Sequence, residues 1–185
     1  MHGTVLGQGE VTAGQLRRMP DDGDRLELVR GQVARVPPPG FGHGVIVARI
    51  QSALVPFVEA HALGFVTGET GFRLRRQPDT VRAPDVAVVL ASRMPSGRVP
   101  VGYFEGAPDV AFEVMSPDDT VRGIEGKVRD YLAAGTHAVC VVRPRTEEVT
   151  VVKADHASFT LRDHDVLTLP ALLPGFRLAV KSLFG

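Results

Sequence analysis

The chain has 185 residues and carries 21 basic and 21 acidic side chains, for a formal net charge of zero. That length suits one domain, 1–185, burying roughly 70% of its unfolded surface, and the balanced charge excludes a global positive field for nucleic acid, so any such contact must use a local patch. The single cysteine, Cys140, excludes an internal disulfide framework; with no signal-peptide pattern at the start and no apolar run approaching the ~20 residues that span a bilayer, a cytoplasmic protein with no membrane partner is expected.

Residues 1–10 are glycine-rich and expected to be flexible. Thr12 and Gln15 carry the pattern of a capping box, with Val11 and Leu16 placed as a hydrophobic staple, so a helix begins there. It stops before Pro20 and the Asp21-Asp22-Gly23 run. Residues 25–30 and 32–36 predict a hairpin about Gly31. Alternation puts Leu26 and Leu28 on one face and Glu27 on the other. After the Pro37-Pro38-Pro39-Gly40 break, a helix is expected over residues 44–62, burying Ile46, Ile50, Leu54 and Val58 and kinked at Pro56. Residues 65–67 and 71–76 read as short strands, the second pairing with a strand over 81–90. Residues 91–108 read as a long loop carrying Arg93 and Arg98, of the length that usually serves a function.

The segment 110–131 organises the chain. Residues 110–115 form an apolar run of the kind found in strands covered on both faces. Glu113 interrupts it, and a carboxylate there costs several kcal/mol unless it is paired or binds a metal. Ser116 and Pro117 end the strand. Asp119 or Thr120 caps a helix whose stripe of Val121, Ile124, Val128, Tyr131 and Leu132 runs to Ala134, where Gly135 stops it. Residues 138–142 are a second buried strand, so the unit is a right-handed crossover between parallel strands. Residues 148–153 and 158–162 follow as outer strands. The expected architecture is a mixed central sheet with helices on its faces.

Three side chains combine into a candidate site. Asp85 opens the strand after Pro84, Glu113 lies within its strand, and Lys127 sits on the edge of the crossover helix. Taken singly, Pro-Asp is a turn signal, Glu113 is a candidate buried ion pair, and Lys127 is a lysine at the flank of an apolar stripe. Together, neighbouring strands would offer two carboxylates as hard oxygen ligands for Mg²⁺. Met115, two residues after Glu113, supplies no charge to that face. The helix runs back antiparallel to its strand, and Lys127 lies about 10 Å along it, level with Glu113.

Pro84-Asp85, then Phe112-Glu113-Val114-Met115-Ser116-Pro117, then Lys127 with Tyr131 and Gly135, resemble the Uma-type family of restriction-endonuclease-like proteins in the PD-(D/E)XK nuclease superfamily. The likeness extends to Leu26–Gly31, Pro39–His43 and Leu173-Pro174-Gly175-Phe176. It implies an α/β restriction-endonuclease-like core, a mixed central β-sheet flanked by helices, with an additional N-terminal hairpin and C-terminal strands. It also implies a DNA endonuclease using Mg²⁺ or Mn²⁺. Asp85, Glu113 and Lys127 match catalytic positions. Asp85, Glu113 and the Val114 backbone carbonyl match metal ligands, and the lysine comes from the helix rather than the strand. Glu27 matches a further acidic position, His43 lies where the family often has histidine, and Glu69 is a weaker acidic candidate. Arg93 and Arg98 are candidate phosphate contacts. Cys140 and Arg143 depart from the pattern at an aromatic and an acidic position.

The alternative reading is a non-catalytic homodimeric binding module with the nuclease fold. The neutral net charge and the lack of an obvious basic stripe or extra DNA-reading domain favour it; a homodimer is expected in either reading, from the neutral chain and apolar outer segments such as 149–152 that need cover.

Overall fold

The computed structural model describes residues 9–20, 23–94 and 99–185. Most of the segment expected to be flexible, 1–8, and Arg98 lie outside the described residues.

Thr12 caps α1 (Ala13–Leu16), and both bonds of its capping box with Gln15 form. Strands β1 (Arg25–Val29) and β2 (Gln32–Val36) pair antiparallel, with Val29 opposite Gln32. Arg30 and Gly31 close the hairpin with φ of 49° and 78°. Two positive φ values are what a two-residue type I′ turn requires.

Helix α2 (Phe41–Ala60) starts at Phe41 rather than at residue 44. Gly40, extended at φ −70° and ψ 164°, serves as its N-cap. Gly42 is therefore inside the helix, along with Gly44. The helix continues through Pro56 and buries Ile46, Ile50, Leu54 and Val58, as its periodicity predicts. By length and composition alone α2 is apolar enough to cross a bilayer, contrary to the expectation from the sequence. Here its stripe packs into the core.

The strand expected over 81–90 divides in two. Strand β3 (Gly64–Thr67) is followed by β4 (Phe72–Arg75), β5 (Thr80–Arg82) and β6 (Val86–Leu90). β5 stays with β4, whereas β6 pairs with β3 in another sheet. Between them lies Ala83-Pro84-Asp85. Proline has no N–H for a ladder, which favours a break there.

The remaining strands are β7 (Phe104–Glu105), β8 (Val110–Val114), β9 (Ala138–Arg143), β10 (Glu148–Lys153), β11 (Ser158–Leu161), β12 (Val166–Leu169) and β13 (Leu173–Ala179). The central sheet has the order β11-β10-β9-β8-β6-β3. β8 runs parallel to β9 and antiparallel to β6. Helix α3 (Val121–Ala133) makes the crossover from β8 to β9. A second sheet has the order β2-β1-β5-β4-β7, and β12 and β13 pair by themselves. The fold is therefore the expected mixed α/β architecture with an N-terminal hairpin and C-terminal strands.

One face of the central sheet presents Val86, Val110, Phe112, Cys140 and Val142 to the α2 stripe and to Leu167, Leu173 and Phe176 of the C-terminal hairpin. The other face presents Ala111, Val139 and Val141 to Ile124 and Tyr131 of α3. Val149 and Val151 of β10 are fully buried in the first of these cores. Thr150 and Val152, on the other face of β10, are half-buried.

Candidate active site

The register of β6 and β8 brings the two carboxylates together. Val86 lies opposite Phe112 and Ala87 opposite Ala111. One further step in that register sets Asp85 opposite Glu113. Side chains alternate between faces, so Glu113 lies on the Ala111 face and Asp85 on the Ala87 face, which is the same side of the sheet. Both carboxylates are nearly inaccessible, at 4% and 2% side-chain exposure.

Each is held by named donors. Lys127 Nζ donates to Glu113 Oε2 at 2.6 Å. One turn further along α3, the Tyr131 hydroxyl donates to Glu113 Oε1 at 2.8 Å. The Val114 N–H donates to Asp85 Oδ2 at 2.7 Å, and His43 Nε2 lies 3.1 Å from the same oxygen. The guanidinium of Arg25 stands 3.8 Å from Asp85 Oδ1 and 3.3 Å from Glu69 Oε1. Asp85, Glu113, Lys127, His43 and Arg25 line one cleft of about 280 Å³, closed by the 36–40 segment and the 116–119 turn.

A buried charge network stands beside it. Glu27 receives Arg82 Nη1 at 2.8 Å and the Ala83 N–H at 3.2 Å. Lys127 Nζ lies 4.0 Å from Glu27 Oε1. Arg82 also donates to Asp130 at 2.6 Å.

The electrostatics separate the acids. Burial pushes the Glu113 carboxyl up, and the nearby Asp85 and Glu27 add to this, against the pull of Lys127. Burial would also raise Glu27, but Lys127 and Arg82 outweigh it and hold Glu27 at about 2. Asp85 too ends below its ordinary value: burial raises it, but the His43 hydrogen bond, the charges of His43 and Lys127 and the Val114 N–H outweigh that. Burial works against the Lys127 ammonium, but Glu113 and Glu27 together keep it charged, with its pKa raised. Burial lifts the Cys140 thiol to about 12, so it is an inert core residue.

Of the residues singled out in the sequence, Asp85, Glu113, Lys127, Val114 and His43 meet in the cleft. Glu27 stands behind it, and Glu69 touches it only through Arg25. Arg93 is not brought there. It lies 3.3 Å from Asp109, just before β8 begins. The loop 91–108 joins the ends of β6 and β8 remote from Asp85 and Glu113, because the two strands are antiparallel. The expectation of Arg93 as a phosphate contact at this site is therefore corrected. The loop also contains a 3-10 turn (Ala91–Arg93) and β7.

Sequence reasoning missed Arg25, and it gave Tyr131 a place in the apolar stripe and the family pattern but no contact with Glu113. Signals for both were present. Arg25 is two residues before Glu27, hence on the same strand face. Tyr131 is four residues after Lys127, hence on the same helix face.

Among the described residues, no group of three or more His, Cys, Asp or Glu is arranged to hold a metal. The donor set amounts to two carboxylates and a strand carbonyl. Mg²⁺ is usually bound in this way, through one or two carboxylates while keeping several waters. The bonds to Asp85 from Val114 and His43 both fall on Oδ2, which leaves Oδ1 at 3.8 Å from Arg25 Nη1. These donors fit a hard divalent cation.

The site sets two carboxylates on adjacent strands of a mixed α/β sheet, with a lysine of the crossover helix against Glu113. A crystal structure described as a putative nuclease belonging to DUF820, from Anabaena variabilis ATCC 29413, superposes with a TM-score of 0.83, covering 94% of this chain and 97% of that one at 21% identity. The family profile Uma2, described as "Putative restriction endonuclease", matches residues 13–181, and the chain belongs to that family. No curated protein matches it.

Proposed function

We propose that the protein is a Mg²⁺- or Mn²⁺-dependent endonuclease that hydrolyses DNA phosphodiesters in a cytoplasmic setting. One observation carries the reading: Asp85, Glu113 and Lys127 converge on a single cleft although the chain separates them. The family supplies the DNA substrate class.

Asp85 Oδ1, a Glu113 oxygen and the Val114 carbonyl would hold the cation. A bound cation of this kind polarises the scissile phosphate and lowers the pKa of a coordinated water. The chain's own part is positioning and charge. Tyr131 and the Val114 N–H orient the two carboxylates. Lys127 stays protonated and offers an ammonium to the negative charge that develops on the phosphoryl oxygens. Met115, two residues after Glu113, supplies no charge to this face, and Lys127 of α3 does. A non-catalytic binding module would have no need of this set.

The test is cleavage of supercoiled plasmid by purified protein with Mg²⁺, with Mn²⁺ and with EDTA. Cleavage that needs metal and disappears in Glu113→Gln supports the reading. Cleavage unchanged in Glu113→Gln, or none by the wild type with either metal, contradicts it.

A further inference from the structure

Arg25 and His43 belong to the inner cleft, where Arg25 Nη1 pairs with Glu69 and Asp85 and His43 Nε2 meets Asp85. The His43 side chain is only 8% exposed. Two residues before His43 stands Phe41, the first residue of α2, which is 91% exposed. A large apolar ring held in water at the mouth of a polar cleft has no packing role within the chain.

The surroundings of Phe41 are shaped for something else to lie there. Its groove, about 870 Å³, also takes in Arg49, Arg143 and Arg145, and it shares His43, Ser116 and Asp119 with the cleft, so the two are continuous. Glycines 40, 42 and 44 have no atom within 4 Å of where a Cβ would stand. Glycine inside a helix costs about 1 kcal/mol relative to alanine, and the fold's own packing gives no reason for it at 42 or 44. α2 also begins with no side-chain cap and no acidic residue in its first turn, which leaves its N-terminal partial positive charge uncompensated. Two acids face the groove, Asp119 and Glu147. Asp119 is already engaged by the Ser116 N–H at 2.8 Å.

An exposed aromatic beside arginines is the arrangement by which proteins hold unpaired nucleotides, with the base stacked on the ring and the backbone in the cationic groove. We propose that this groove binds an unpaired DNA nucleotide, with its base on Phe41 and an adjoining phosphate among Arg49, Arg143 and Arg145. The substrate class is then DNA with a single-stranded segment rather than continuous duplex. This rests on the nuclease reading for its chemistry, but the binding itself needs neither metal nor cleavage.

The experiment is fluorescence anisotropy of full-length protein in EDTA, with a labelled single-stranded oligonucleotide and with a blunt duplex of equal length. The wild type should bind the single strand more tightly than the duplex. Phe41→Ala should weaken single-strand binding about tenfold, the loss of one base stack, with melting unchanged because the ring is solvent-exposed, while Phe41→Trp should restore it. A 2-aminopurine probe should change its emission on the wild type and not on Phe41→Ala. Equal binding by Phe41→Ala and wild type, or preference for duplex, overturns the proposal. So does light scattering in which wild type self-associates and Phe41→Ala does not, since a second copy then covers the groove. Binding through Phe41 without plasmid cleavage would leave this inference standing and remove the nuclease reading; cleavage with Phe41-independent binding would do the reverse.

Discussion

Lys127 and Glu113 are separated by 14 residues and meet at 2.6 Å across the connection from β8 to α3. The contact follows from the crossover: the strand rises past Glu113, the chain turns at Ser116 and Pro117, and the helix returns antiparallel beside it. Lys127 is the charge that this geometry makes available to a carboxylate with 2% exposure.

Replacing Lys127 and replacing Glu113 should therefore differ. Lys127→Met leaves Glu113 and Asp85 without their shared cation, and removal of one partner from a buried pair costs about 3–5 kcal/mol. Glu113→Gln leaves Lys127 still within 4.0 Å of Glu27. The folded Glu113 carboxyl is raised above its ordinary value, so its ionised form is disfavoured by the fold and a neutral amide removes that penalty. Chemical denaturation at pH 7 should show a large loss for Lys127→Met and little or none for Glu113→Gln. The opposite order would mean that Glu113, not Lys127, anchors the network.

Mg²⁺ should stabilise the wild type and should stabilise Lys127→Met more, because the cation there meets carboxylates with no ammonium competing for them. Melting followed with and without Mg²⁺ measures this. A larger shift in the wild type would contradict the shared-site geometry.

The pH dependence should expose Glu27. Its folded pKa, about 2, lies below the ordinary ~4.3 of an unfolded glutamate. A depressed carboxyl contributes stability that is present above the unfolded value and is lost as pH falls through the folded one. The shift corresponds to about 3 kcal/mol. The stability gap between wild type and Glu27→Gln should be full at pH 6 and shrink steadily between pH 4 and pH 2. A gap that stays constant over that range would show that the Glu27 charge is not what Arg82 and Lys127 hold.

Most of the fold was legible because its signals are local. The capping box at Thr12, the Gly31 turn and the apolar stripe of α3 each specify their element without help from distant residues. The break in 81–90 was harder, because Val81 and Val86 both suit a strand and only their different sheet partners separate them. The start of α2 was misjudged for a related reason: Gly42 and Gly44 are poor helix formers, and the helix tolerates them. At the site, Asp85, Glu113 and Lys127 were legible as charges placed in or beside apolar runs. Arg25 was not, because an arginine at the start of a hairpin looks like any solvated surface residue until β1 is docked beside β5. Arg93 was misplaced because the loop was judged by its neighbours in sequence and not by which strand ends it joins.

Tyr131→Phe should keep the fold at a cost of about 1–2 kcal/mol, the loss of one buried hydrogen bond to a charged group. With Oε1 released, Glu113 is fixed only through Lys127, so Mg²⁺ affinity measured by calorimetry should fall. An unchanged affinity would reduce Tyr131 to a packing residue.

The central claim is that Asp85 and Glu113 share one divalent ion beside Lys127. Anomalous diffraction from a Mn²⁺-soaked crystal tests it most directly. The account predicts a single strong peak in the cleft, with an oxygen of Asp85 and an oxygen of Glu113 each near ~2.1 Å from it. A cleft without a peak at saturating Mn²⁺, or a peak bound by only one of the two carboxylates, would contradict it.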